Sequence, residues 1–398
     1  MTGRSALERC TGVAPGTFAS EHWSRAPLLS RAKELPAAFT DLLSVDDIDE
    51  LVAERALRTP FFRTVREGGG LPAPVHSVNA GGRRIGDVVD GDALHAQHAD
   101  GATLVLNALH RSHPPVVRFC RQLAAELGHP TQCNAYVTPG GDAQGFDYHH
   151  DTHDVFVLQV SGRKRWVVHE PVLRLPLPSQ PRSGAALVPD GAEPLLDVEL
   201  EAGDALYLPR GYVHAALTTD EHSVHLTVGV LSFTWRDVLD DAVALAADHE
   251  QFRDALPALE PGQALADVPD FLRRAADWLA ALPPERVQQR LADRLRKAVA
   301  AEPLRLLAQT AAFRDLTPTT PLRPRQGLNR TLREDDGVVV LQLADRAITL
   351  PAGARAALER LLVGPCTPGD LIAHDLDEES AIVLARRMLR EGVVVPAR

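Results

Sequence analysis

The sequence predicts a mainly β protein with added helices, in which an antiparallel sandwich or barrel precedes a helical region and a small mixed module. Residues 146–235 alternate short apolar runs, such as "DVFVLQV" and "SVHLTVGVLSF", with turn clusters, which is typical of a sandwich or barrel. Residues 236–316 repeat apolar side chains every three to four positions, which indicates helices. Residues 317–398 alternate strand-like and helical patterns. We therefore predict three parts, 1–235, 236–316 and 317–398.

The composition narrows the class of protein. Apolar residues make up 45% and charged residues 24% of the 398 residues, which is the balance of a globular chain. A formal charge of −11 argues against DNA binding, because nucleic-acid surfaces attract clustered basic side chains. No run of 18 apolar residues and no signal-peptide pattern occur, so we expect no membrane partner. Four scattered cysteines fit reduced thiols, and we expect a cytoplasmic protein.

Local signals predict the elements around the barrel. The N-terminal arm carries Trp23, which we expect to pack on the main domain. Residues 113–130 have helical spacing and a Gly-His-Pro stop, and residues 134–145 resemble a short strand that runs into a glycine-rich turn. Residues 171–194 are rich in proline and glycine and predict a long surface loop. Residues 315–327 predict a linker.

A cluster of histidines and aspartates, "HHDTHD", directly precedes an apolar run. If this cluster is part of a strand, His149 and Asp151 point to the same face, because strand side chains alternate. One histidine and one carboxylate are two of the three ligands of the facial triad that binds non-haem Fe(II). The segment "GDALYLPRGYVHAAL" supplies His214 as a third ligand from another strand. We therefore predict an iron site at these three residues.

Other interpretations of the histidines remain open. His150 follows His149 directly on the predicted strand, so its side chain is expected to point to the opposite face, away from the predicted iron site. His153 shares the parity of the first pair, so a triad that uses Asp151 and His153 is an alternative. The cluster is also compatible with surface histidines at a strand end or with a zinc-binding cupin. His222 and His225 are expected to pack or hydrogen-bond within the barrel.

A basic cluster follows the apolar run, in "SGRKRW". Only one of Arg163, Lys164 and Arg165 is expected to point inward. The apolar stem and compact charge of Lys164 suit a residue that reaches into a barrel to hold a carboxylate. Asn134 and Tyr136, two positions apart, are candidates for further hydrogen bonds to the same ligand. Ordinary strand packing explains their spacing equally well.

These motifs carry a family resemblance. The stretch "NAYVTPGGDAQGFDYHHDTHDVFVLQVSGRKRWVVHEP", followed by "GDALYLPRGYVHAA" and "HSVHLTVGV", resembles the JmjC-type ribosomal oxygenases. The resemblance implies a double-stranded β-helix (jelly-roll or cupin) barrel, a helical dimerisation region and a C-terminal winged-helix domain. One departure is Tyr148, which stands before the first ligand where a proline is familiar in the family.

The resemblance also implies roles for individual residues. His149, Asp151 and His214 would bind Fe(II), and Lys164 would pair with the side-chain carboxylate of 2-oxoglutarate. Asn134 and Tyr136 would lie beside this cosubstrate.

The implied function is a 2-oxoglutarate- and Fe(II)-dependent dioxygenase that uses O2 to hydroxylate an arginine or histidine side chain. The implied substrate is a ribosomal protein or another polypeptide, and an acidic enzyme suits a basic ribosomal segment. We expect a homodimer. Two alternatives remain: a hydroxylase that tailors a small peptide or natural product, and a metal-binding cupin without enzymatic activity.

Overall fold

The protein is described from a computed structural model, which covers residues 5–141, 143, 146–180, 188, 192–256, 267–298 and 301–397. Contacts divide the chain into two compact units, Met1–Ser232 and Phe233–Arg398. The three-part division of the chain therefore stays a prediction. Every helix among the described residues is too short or too polar to cross a membrane.

The first unit consists mainly of strands, numbered in chain order. They are β1 (Leu28–Ser30), β2 (Phe62–Arg66), β3 (Gly69–Gly70), β4 (Val75–Ala80), β5 (Arg83–Val89), β6 (Thr103–Leu106), β7 (Thr131–Thr138), β8 (Asp154–Gly162), β9 (Lys164–His169), β10 (Leu196–Leu200), β11 (Ala205–Leu208), β12 (Val213–Leu217) and β13 (Ser223–Val230). The helices are α1 (Pro15–Thr17), α2 (Val45–Ala53), α3 (Gly91–Ala99), α4 (Leu109–Ser112) and α5 (Pro114–Leu127).

Two sheets form the predicted barrel. The larger has the order β1-β11-β8-β13-β7-β6-β2-β3 and the smaller the order β10-β9-β12, while β4 pairs with β5. From β8 to β13 the chain crosses repeatedly between the sheets, which is the path of a double-stranded β-helix. Strand β8 is buried on both faces. Its Val155 and Val157 pack with Trp166 of the smaller sheet, while Phe156 and Leu158 face a core that the N-terminal helices share.

The predicted arm and helix are present around the larger sheet. Strand β1 pairs with β11, and Trp23 packs against the core that includes Phe156. Helix α5 buries its apolar face against the same core. It ends at Gly128, whose φ of 70° is the left-handed conformation that favours glycine at a helix end.

The second unit mixes helices and strands in the predicted order. Its helices are α6 (Trp235–Ala244), α7 (Val268–Ala280), α8 (Pro284–Ala298), α9 (Leu306–Arg314), α10 (Arg355–Val363) and α11 (Glu378–Arg390). Its strands are β14 (Leu322–Pro324), β15 (Thr331–Asp335), β16 (Val338–Gln342), β17 (Ala347–Pro351) and β18 (Val394–Pro396). Strand β14 pairs with β18, and β16 lies between β15 and β17. The assignment of this module as a winged helix stays a prediction.

One sequence interpretation in this unit is wrong. Residues 315–327 do not form a free linker, because β14 lies within them and Leu322 is fully buried. The backbone of Leu322 also bonds to Cys366. Proline and polar content suggested a linker, but β14 pairs with a strand near the end of the chain, and such a distant partner leaves no local signal.

The predicted surface loop at 171–194 is only partly described. Residues 171–180 and 192–195 contain no strand or helix. The other residues of the loop, apart from residue 188, lie outside the described residues, as do residues 142, 144 and 145 of the predicted glycine-rich turn.

Candidate active site

Three side chains with metal-binding chemistry meet between the two sheets. His149, Asp151 and His214 each offer one ligand atom, and these atoms lie within 4.8 Å of one another. The backbones of His149 and His214 form an isolated antiparallel bridge, with N–H···O distances of 3.1 and 2.8 Å. Two histidines that are distant in the sequence are therefore held side by side by their own backbones.

Hydrogen bonds to the two imidazole rings determine which nitrogen is available to a metal. Nδ1 of His149 lies 2.8 Å from the carbonyl oxygen of Asp147, and Nδ1 of His214 lies 3.0 Å from that of Tyr212. Because a carbonyl oxygen only accepts, each Nδ1 carries a proton and donates it, and each Nε2 keeps its lone pair. Burial, with the neighbouring His149, lowers the pKa of His214 to about 4, so this ring is neutral, as a metal ligand must be.

The donor set fits a ferrous ion. Two imidazole nitrogens and one carboxylate oxygen form the facial triad that holds non-haem Fe(II) and leaves positions open for other ligands. Nε2 of His214 lies 4.0 Å from Oδ2 of Asp151, so the two ligand atoms lie near one metal position and must approach each other by about 1 Å to become adjacent ligands in a facial triad with bonds of about 2 Å. The role of the three residues as ligands stays a prediction that this arrangement supports.

The local structure of the "HHDTHD" segment differs from the expectation. His149 and Asp151 do not belong to a regular strand, because β8 begins only at Asp154. The buried Asp154 carboxylate fixes this start by accepting hydrogen bonds from the Arg210 backbone and from the hydroxyl groups of Ser24 and Ser232. The two ligands converge through the bridge to His214 rather than through strand alternation.

The alternative that used His153 as a ligand is not formed among the described residues. The ring of His153 lies against Gly229 of β13, so closely that a Cβ added to Gly229 would lie 2.5 Å from Cδ2 of His153. His153 is absent from the cluster of ligand atoms. His150 is buried and is absent from the same cluster.

A cavity of about 250 Å³ extends from the three ligands into the barrel. Residues of both sheets line it, together with Phe146 and the ligands themselves: Arg63, Thr103, Tyr136, Val155, Val157, Lys164, Trp166, Ala216, His225 and Thr227. The cavity thus joins the cluster of His149, Asp151 and His214 to a buried lysine side chain.

Lys164 lies at the buried end of this cavity and is 3% exposed. Its Nζ donates to Oγ1 of Thr138 at 2.9 Å, and Oγ1 of Thr103 donates to the same oxygen at 3.1 Å. Burial lowers the pKa of Lys164 to about 7. Within the described part of the chain, no carboxylate forms an ion pair with Lys164. A carboxylate that entered the cavity would form an ion pair with Lys164.

The neighbouring basic side chains point outward, in agreement with the expectation that only one of the three points inward. Arg163 forms an ion pair with Glu199, and Arg165 forms one with Asp197. Only Lys164 of the three lines the cavity.

Asn134 and Tyr136 have different surroundings. Tyr136 lines the cavity, and its ring stacks on His225 with centroids 4.9 Å apart. Burial and the nearby Asp151 carboxylate raise the pKa of Tyr136. Asn134 does not line the cavity; its Oδ1 accepts a hydrogen bond from the backbone N–H of Ala108 at 2.9 Å. A contact between Asn134 and 2-oxoglutarate stays a prediction.

Several residues of the cavity were not identified from the sequence. His225 packs within the barrel as predicted and also lines the cavity. Thr103 and Trp166 carried no motif that marks them, and neither did Thr138, which accepts the hydrogen bond from Lys164. Arg63 was missed because its direction depends on the pairing of β2 with β6, which strand periodicity alone does not give.

Comparison with known proteins agrees with the fold. Residues 107–238 match the model of the JmjC domain. Ribosomal oxygenase 1 of Gallus gallus is 33% identical over 264 residues, which are 62% of this chain and 40% of the relative. The bifunctional lysine-specific demethylase and histidyl-hydroxylase NO66 of Drosophila mojavensis is 31% identical over 226 residues, 55% of this chain and 24% of the relative. The chain spans less than half the length of these relatives.

Solved structures share the fold over nearly the whole chain. The crystal structure of Escherichia coli ribosomal oxygenase YcfD has a TM-score of 0.57 at 20% identity and covers 97% of this chain and 98% of its own. YcfD in complex with cobalt and 2-oxoglutarate has a TM-score of 0.54 at 20% identity, with coverages of 96% and 98%.

The fold and the matched domain define a JmjC-domain protein with a cupin-type barrel. The curated relatives and the solved structures show that the chain is similar to ribosomal oxygenases of the JmjC type.

Proposed function

We propose that the protein is an Fe(II)- and 2-oxoglutarate-dependent oxygenase that hydroxylates a side chain of a polypeptide. One observation carries the proposal: a cluster of two imidazoles and a carboxylate opens into a cavity that ends at a buried lysine. A zinc-binding or silent cupin has no need of the lysine, whose burial as a cation is costly.

His149, Asp151 and His214 would hold the metal. When bound, ferrous iron lets O2 convert 2-oxoglutarate to succinate and carbon dioxide, with one oxygen atom transferred to a substrate C–H bond. The carbonyl groups of Asp147 and Tyr212 orient the two imidazole rings so that each Nε2 faces the metal position.

Lys164 would bind the side-chain carboxylate of 2-oxoglutarate. The ammonium group is already oriented by Thr138, and Thr103 adds a second hydroxyl at this end of the cavity. Tyr136 would lie beside the cosubstrate. Asn134 would lie near the cosubstrate as well, where its side chain holds the backbone of Ala108. Val155 and Val157 form an apolar part of the cavity wall, which would limit the access of water to the reacting groups.

The substrate would be an arginine or histidine side chain of a ribosomal protein. The relatives named above are a ribosomal oxygenase and a histidyl-hydroxylase. The formal charge of −11 also favours association with a basic protein segment.

The activity is tested by succinate formation from 2-oxoglutarate in protein loaded with Fe(II). Asp151→Ala should abolish both iron binding and succinate formation. Asp197→Ala is the matched control, because Asp197 pairs with Arg165 at the surface and should leave both unchanged. Equal succinate formation by Asp151→Ala and the natural protein would contradict the proposal. Mass spectrometry of ribosomal proteins from cells with and without the protein would then identify a substrate that gains one oxygen atom.

We further propose that the protein forms a homodimer through α6. Trp235, Leu239 and Val243 lie four positions apart on this helix and are 86%, 50% and 51% exposed. Residues at this spacing form one stripe of a helix. The opposite face is already occupied, because Asp241 is buried and paired with Arg294 of α8. A second copy of the same stripe would cover this apolar surface.

A further inference from the structure

Arg63 is a cavity residue to which no role has yet been assigned. Strand pairing fixes its direction: Arg63 is paired with Val105, Val105 with Tyr136, and Tyr136 with His225. Residues paired in this way across adjacent strands point to the same face. Tyr136 and His225 line the cavity, and Arg63 lines it as well.

The guanidinium group of Arg63 lies at the solvent side of this cavity. Arg63 is exposed, whereas Lys164 is buried at the other end. The carbon of the guanidinium group is 5.3 Å from the centroid of Phe146, a cation–π contact that orients the group without using its hydrogen-bond donors. In the described parts of the chain, Arg63 forms no ion pair with a carboxylate. Its guanidinium group also donates no hydrogen bond to another described residue, so its donors are available to a ligand.

The charge balance of the loaded site makes this arginine significant. The ferrous ion and Lys164 together carry as much positive charge as Asp151 and the two carboxylates of 2-oxoglutarate carry negative charge. His225 is neutral, because burial and the charge of Lys164 hold its pKa well below its usual range. Among the described residues that line the cavity, Arg63 then remains as the charge without a counter-charge. The Arg63 guanidinium group would repel a cationic target side chain and would attract a side chain that carries a hydrogen-bond acceptor.

We propose that Arg63 determines substrate specificity by donating hydrogen bonds to a target side chain that is neutral or acidic and carries an acceptor. Imidazole, carboxamide and carboxylate groups have this chemistry, and guanidinium and ammonium groups do not. The inference rests on the proposed oxygenase function. Of the two target side chains proposed above it retains histidine and excludes arginine, and it adds asparagine and aspartate as candidate targets.

The test measures binding rather than turnover. The full-length protein is loaded with Fe(II) and 2-oxoglutarate under nitrogen and titrated by calorimetry with the N-acetyl amides of histidine, asparagine, aspartate and arginine. At least one of the first three should bind at least about tenfold more tightly than the arginine compound, because like charges in a site disfavour the wrong ligand. Arg63→Gln should remove the discrimination, Arg63→Lys should retain part of it, and Arg63→Glu should reverse it.

Arg66→Gln is the matched control. Arg66 belongs to the same strand, and its guanidinium group donates to the carbonyl oxygen of Asp100 instead of lining the cavity. It should leave the order of affinities unchanged. Thermal unfolding of each variant shows whether it is folded, and a merely structural role of Arg63 would not reverse a preference.

The inference is overturned if the natural protein binds all four compounds equally, binds none of them or prefers arginine, or if Arg63→Glu keeps the original order. Succinate formation by the natural protein in air is measured separately. If succinate forms and the order of affinities is wrong, only the role of Arg63 fails. If neither iron nor 2-oxoglutarate binds, the proposed function itself fails.

Discussion

Lys164 shows how a single residue serves the site at a cost in stability. Its ammonium group is buried with a hydroxyl partner, Thr138, and burial lowers its pKa from 10.5 to about 7. A buried cation of this kind is destabilising until an anion enters. The protein without ligands is therefore less stable than its packing allows, and the cosubstrate relieves the unfavourable charge.

Replacement of this lysine should stabilise the empty protein and abolish cosubstrate binding. Because the folded-state pKa lies below the unfolded one, the cost of burial is complete below about pH 7 and disappears as the pH rises towards 10.5. Lys164→Met should therefore raise the free energy of unfolding at neutral to acidic pH by on the order of a few kcal/mol. Denaturant unfolding across pH measures this, with Lys33→Met, at an exposed position, as control. A less stable Lys164→Met protein would contradict the prediction.

The same pKa predicts proton uptake when 2-oxoglutarate binds. Above about pH 7 the empty protein holds Lys164 mainly neutral, and a carboxylate partner favours the protonated form. Binding should take up close to one proton at about pH 8.5 and almost none at about pH 6, with affinity falling as the pH rises. Calorimetry in buffers of different ionisation enthalpy measures the uptake. The same uptake at both pH values would show that another group titrates.

At this scale the sequence predicted that only one of Arg163, Lys164 and Arg165 points inward, and the apolar stem and compact charge of Lys164 favoured this residue, which lines the cavity. Strand alternation grouped His149 with Asp151, but these residues precede the strand and converge through a backbone bridge. Their role as ligands stays a prediction. Arg63 was not predictable, because its direction follows from the pairing of β2 with a strand about 40 positions away.

At the scale of elements, the turn between β11 and β12 supports the predicted metal site. Gly211 has φ of 93°, and its backbone N–H donates to the carbonyl oxygen of Asp151 at 2.9 Å. A Cβ at this position would approach the carbonyl oxygen of Leu173 at 2.6 Å and Cδ of Pro176 at 2.8 Å. Glycine is therefore required both by the backbone conformation and by the space around it.

Gly211→Ala should weaken iron binding as well as stability. Alanine must shift the turn, which displaces the backbone that holds Asp151, and we expect at least about tenfold lower affinity for Fe(II). Gly101→Ala is the matched control: Gly101 has φ of 94°, but an added Cβ there meets nothing within 4 Å. It should cost about 1–2 kcal/mol of stability without changing iron affinity. Equal iron affinities for the two variants would refute this role of the turn.

At the scale of the whole molecule, the order of elements was more predictable than their partners. Apolar periodicity identified the barrel strands and the helices of the second unit, because burial imposes that periodicity on the sequence. It did not reveal that β14 pairs with β18, since the partner strand lies at the other end of the module. The quaternary structure was not predictable for a similar reason. An apolar stripe on a helix indicates that another surface covers it, but the sequence does not say which surface that is.

The stripe on α6 therefore requires a direct test. If a second copy covers it, a charge at its centre should separate the two chains, because an arginine buried without a partner is strongly unfavourable. Leu239→Arg should change the mass found by light scattering from that of a dimer to that of a monomer, with an unchanged circular dichroism spectrum. Val383→Arg is the control, since Val383 of α11 is 59% exposed outside the stripe. A monomeric natural protein, or a Leu239→Arg variant that stays dimeric, would exclude α6 as the interface.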